Sequence, residues 1–106
     1  MDHIIVLCTT GSREEAEKLA GTLVEERLAA CISIVGPILS VYRWKEEVEK
    51  SEEYLLIIKT RRQVYQRLEI RLRELHSYEV PEIIALPVIG GLREYLDWVT
   101  SETGTD

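Results

Sequence analysis

The segment His76-Ser77-Tyr78-Glu79-Val80-Pro81-Glu82 places an imidazole, a hydroxyl, a phenol and two carboxylates in one short stretch. With Lys59, Tyr42 and Trp44 these groups have the donors, acceptors and charges to hold a small polar or anionic ligand in a cleft between subunits. The same residues also suit a subunit interface. Trp44 and Tyr78 would then be aromatic anchors, and Lys59 and Glu82 an ion pair across it. Glu79 beside His76 has the residue types of an acid/base pair. No nucleophile with an oriented base accompanies them, since Ser77 next to His76 is adjacency in sequence rather than a triad. Gly90-Gly91 lacks the Lys-Ser that completes a phosphate-binding loop. An enzyme is therefore not expected. His3 is expected to be solvated or capping. Cys8 and Cys31 lie in apolar runs, without zinc-motif spacing, and two cysteines are too few for a disulfide framework. Both are expected to be buried free thiols.

The whole sequence has 106 residues, which predicts one domain over residues 1–106. Its 13 Lys and Arg against 19 Asp and Glu leave a net charge of −6. Nucleic acid and anionic membrane both demand surplus positive charge, so neither is an expected partner. No apolar run approaches the ~18 residues of a membrane helix. Met1-Asp2-His3 lacks the basic stretch of a signal peptide, so a cytoplasmic location is expected. The absence of Asn and the abundance of charge point towards heat stability.

These side chains need elements to position them. Ile4 to Thr9 is continuously apolar and predicts a strand covered on both faces. Ser12-Arg13-Glu14-Glu15 has the form of a capping box, and Ala16, Leu19, Ala20, Leu23 and Val24 trace one helix face. Cys31–Val35 and Ile38–Trp44 predict strand on either side of a bulge or bend at Gly36-Pro37. Residues 45–53 read as a polar connection before a second covered strand, Tyr54–Lys59. Together they predict a long hairpin with a protruding tip. Thr60-Arg61-Arg62-Gln63 resembles a second capping box, opening a helix that buries Val64, Leu68, Leu72 and Leu75. Its arginines, Arg62, Arg67, Arg71 and Arg73, alternate with Glu69 and Glu74 and predict a solvated face. Ile83–Leu86 is a short strand after a loop, and Leu92, Tyr95, Leu96 and Val99 form a last helix. Residues 100–106 are expected to be frayed.

The order β-α-β-β-α-β plus a helix is that of an α+β, ferredoxin-like split βαβ fold. Helices would cover one sheet face and leave an apolar face bare. Burial of that face by self-association is the consequence. An RNA-recognition domain shares this topology, but its aromatic strand is missing here.

Val6-Leu7-Cys8-Thr9-Thr10, Leu28-Ala29-Ala30-Cys31, Ser40-Val41-Tyr42-Arg43-Trp44, Leu56-Ile57-Ile58-Lys59-Thr60-Arg61, His76 to Ile83 and Tyr95-Leu96-Asp97-Trp98 together resemble the CutA family of divalent-cation tolerance proteins. The resemblance implies a ferredoxin-like homotrimer related to the PII signalling proteins. It also implies copper or another divalent metal, with Cys8 and His76 as the candidate ligands. A bacterial member's further His is replaced by Leu75. Cys8 among Ile, Val and Leu would hold its proton, which weakens that ligand pair. Two other positions depart from the family: Glu46, often Gly there, and Ser77, often Pro. Two alternatives accompany a metal-tolerance role. One is a metabolite sensor binding ligand between subunits, and the other a hyperstable structural trimer.

Overall fold

The chain runs β1 (His3–Thr10), α1 (Arg13–Glu25), β2 (Cys31–Trp44), β3 (Glu47–Arg61), α2 (Arg62–Leu75), β4 (Ile84–Pro87) and α3 (Arg93–Glu102). The structure is a computed structural model and describes residues 2–104. One four-stranded antiparallel sheet has the order β2-β3-β1-β4. This is the α+β, split βαβ arrangement predicted from the sequence.

Alternation along β1 and β3 decides which face is the core. Ile4, Val6 and Cys8 of β1 join Leu56 and Ile58 of β3 beneath Ala16, Leu19 and Leu23 of α1 and Val64, Leu68 and Leu72 of α2. Burial of each large side chain contributes about 1.5–3 kcal/mol. Ile70 points away and is exposed. The opposite face is unfinished. Ile5, Leu7, Leu55 and Ile57 are only half-buried, and Val35, Ile84 and Leu86 are exposed. The expectation that β1 and β3 are covered on both sides is thus not met within one chain.

Local chemistry sets the element ends. Ser12 caps α1, its Oγ accepting from the Glu15 amide at 3.1 Å. The α1 exit is a Schellman turn: Leu28 N–H donates to Leu23 O and Arg27 N–H to Val24 O. Arg27 takes the left-handed φ of 62° where glycine is usual. Its guanidinium compensates by donating to the Ser101 and Gly104 carbonyls, both at 2.9 Å.

The structure corrects the sequence reading in several places. Residues 47–53 are not a connection but part of β3, paired with β2 down to Trp44–Glu47, so the turn is only Lys45 and Glu46. Their polarity reflects a two-stranded arm that is exposed at residues 47–50 and turns inward only at Glu53, rather than a loop. A bulge between Val35 and Ile38 interrupts the ladder at Gly36-Pro37, as expected. A side chain at Gly36 would collide with the Tyr54 ring.

Thr60 does not cap α2. It stays in β3 and its hydroxyl donates to Leu28 O, while α2 follows Arg61 with no side-chain cap. The ladder to β1, through His3–Arg61, holds this stretch extended. Arg71 stays on the expected solvated face, where it makes an exposed two-pronged pair with Glu26, both contacts 2.9 Å.

The expected frayed tail is helical to Glu102. Thr103 and Gly104 are buried, held by Arg61 Nε on Thr103 Oγ1 and Gly104 N–H on Arg27 O, both at 2.9 Å. Thr105 and Asp106 of that tail lie outside the described residues. His3 is half-buried and ties β1 to α3, donating from Nε2 to Leu96 O at 2.9 Å.

Candidate functional site

Cys8 and His76 lie on the helix-covered side of β1. Cys8 is fully buried, and burial, reinforced by the charges of Glu82, Glu15 and Glu53, pushes its thiol up to about 12. It therefore remains a protonated thiol at neutral pH. His76 is buried at the C-terminus of α2 with both ring nitrogens in use. Its Nδ1 accepts from the Tyr78 amide at 3.0 Å, which leaves Nε2–H to donate to Thr9 O at 2.7 Å. A metal would need the lone pair that the Tyr78 amide occupies. The two side chains do not fit a copper ion within one chain. Among the described residues, no group of three or more His, Cys, Asp or Glu is placed to hold a metal.

His76 instead acts as a clip between β1 and the loop that follows α2. Glu15 works from the other side: its carboxylate accepts from Ser77 N–H at 2.9 Å and Ser77 Oγ–H at 3.0 Å. Ser77 thereby supplies two donors where a proline would supply none. The capping box is accordingly half formed, since Glu15 reaches for the loop instead of returning to Ser12.

The clipped loop forms one wall of a cleft of about 690 Å³. Thr9 forms its floor, β2 contributes Ser40, Val41, Tyr42 and Trp44, and the loop contributes Tyr78, Glu79, Val80, Pro81 and Glu82. The remaining lining residue is Glu53, on β3. Glu53 is only 7% exposed and accepts the Tyr78 hydroxyl proton at 2.7 Å. Burial and then the hydrogen bond to Glu53 raise the Tyr78 phenol, so it stays a donor. Glu82 is raised by partial burial and by the Glu53 charge. The Gly11 hydrogen leaves room for the phenol, since a Cβ there would stand 3.3 Å from Tyr78 Oη. No Lys, Arg or His is among the described residues lining the cleft.

The structure thus brings together Tyr42, Trp44, Tyr78, Glu79 and Glu82 of the expected cluster. Lys59 is elsewhere. It bonds Ser33 Oγ, with Cys31 Sγ 3.8 Å away and Cys31 itself half-buried. Glu53 was hidden in the polar run read as a connection. The structure places it opposite Ile38, directly after the bulge in the β2–β3 ladder.

A family model described as "CutA1 divalent ion tolerance protein" matches residues 4–102. The chain belongs to the CutA1 family. The "Divalent-cation tolerance protein CutA" of Thermus thermophilus is 50% identical over 100 residues, covering 94% of this chain and 97% of that protein. Its solved structure aligns with a TM-score of 0.94 over 96% of this chain and 99% of that one. The solved CutA1 of Oryza sativa is 42% identical, with a TM-score of 0.96 over 100% of this chain and 97% of that one. "Protein CutA, chloroplastic" of Arabidopsis thaliana is 46% identical over 94% of this chain, which spans 55% of that relative's length. The CutA1 assignment agrees with the sequence resemblance. The Glu46 departure has a visible cost, because Lys45 and Glu46 hold φ of 52° and 70° in a turn that glycine would enter freely.

Proposed function

We propose that this CutA1 chain is a non-enzymatic, cytoplasmic homotrimer that serves divalent-cation tolerance by taking cations at the cleft of Glu53, Glu79 and Glu82. The observation that carries this reading is a cleft lined by three carboxylates with no positive side chain among its lining residues. Such a concave acidic surface concentrates cations. Its donors are oxygens, which suit hard divalent ions better than Cu(I). The Cys8–His76 pair implied by the family resemblance contributes to the fold in this reading, not to copper binding. Water or a neighbouring subunit would complete the coordination of a bare ion.

Self-association is supported by the half-buried Ile5, Leu7, Leu55 and Ile57 beside exposed Ile84 and Leu86 on one sheet face. An apolar surface of this extent is what oligomers bury. No helix among the described residues is long and apolar enough to cross a membrane.

Titration calorimetry with Mn²⁺ and Cu²⁺ tests the cation site. Binding heat is expected for the native chain and for Cys8→Ser, and is expected to vanish in Glu53→Gln/Glu82→Gln. Loss of heat in Cys8→Ser, with retention in the double variant, would return the site to the thiol. Light scattering tests the assembly, with an expected mass of three times 12.2 kDa.

A further inference from the structure

We draw no further inference here: the strongest candidate, the half-buried Cys31 thiol at the start of β2 with Lys59 and Tyr95 against it, lies on the open sheet face that the proposed assembly would bury, and nothing in the structure shows a ligand for it there.

Discussion

The two sides of the sheet carry similar quantities of chemistry and use it oppositely. On the helix-covered side, every reactive group near Cys8 is committed. The thiol is buried and protonated, and the His76 ring spends one nitrogen on Thr9 and the other on Tyr78. On the open side, Glu53, Glu79 and Glu82 face a cavity and have one phenolic partner between them in the described structure. One loop supplies both His76 and Tyr78, yet only the second faces the cleft. Residue type therefore says little about a site until the lone pairs are counted. A soft-metal pair in sequence becomes a structural clip, and a polar stretch of β-arm becomes the acidic wall.

The comparison breaks most visibly if the covered side is not the stability core. Leu68→Ala is expected to cost about 2–5 kcal/mol in urea unfolding, because its neighbours cannot collapse into the space. Ile70→Ala, two residues along the same helix but exposed, is expected to fall within ±0.5 kcal/mol. Similar losses at both would mean that assembly, not the covered side, supplies the stability.

Cys8→Ser sharpens the same contrast at the next level. Burying a hydroxyl where a thiol now packs is expected to cost about 1–3 kcal/mol, with no change in cation binding. The thiol also has a pH signature. Its ionisation is held up to about 12 in the folded chain against 9.0 as the ordinary value, so the unfolded chain releases this proton first. Stability due to the protonated thiol is complete below pH 9 and is lost as pH rises between these values. A Cys8→Ser variant is expected to lose that share of the alkaline slope. An unchanged slope would show that Cys8 is not shielded.

The fold was largely legible because its signals are local and redundant. Ala16, Leu19 and Leu23 are spaced for one helix face, and Gly36-Pro37 marks the bulge where it occurs. The readings that failed concern groups whose partners are remote in sequence. Thr60 looked like a cap, but β1 and Leu28 compete for it successfully. The tail looked frayed, but Arg27 and Arg61 reach across the chain to hold Thr103 and Gly104. Within the site, the loop and the Tyr42–Trp44 strand were visible. Glu53 was not, because the polar strand that carries it has the composition of a loop and its burial depends on Tyr78, remote in sequence. Lys59 was misplaced because its nearness to the loop was inferred from strand order, while register puts it opposite Ile5 and Cys31.

A smaller effect is expected at the arm's tip. Lys45 and Glu46 both occupy the left-handed region. Glu46→Gly is expected to stabilise the chain by about 0.5–1 kcal/mol, read as a higher urea midpoint with unchanged slope, because the strain at that φ exceeds the entropy that glycine adds to the unfolded state. A neutral or negative result would mean that the side chain at the tip has contacts worth more than the strain, and the arm would then belong with the committed side of the comparison.

The finest test lies in the cleft's own titration. Burial, then the Glu53 charge, raises the Glu82 carboxyl above its ordinary 4.5. Between that value and the raised one, the folded chain binds more protons than the unfolded chain, so this group lowers stability as pH rises through the window. Above it the penalty is complete. Glu82→Gln removes the penalty, so the variant is expected to melt slightly higher than the parent at pH 7, with the difference closing by pH 4. Glu26, lowered by its hydrogen bond to Arg71 away from the cleft, is the same in both proteins and cancels from the difference. A bound cation should erase the gap at pH 7 by neutralising the parent's Glu53 and Glu82 together. A gap that ignores both pH and added cation would mean that the open side is as settled as the covered one.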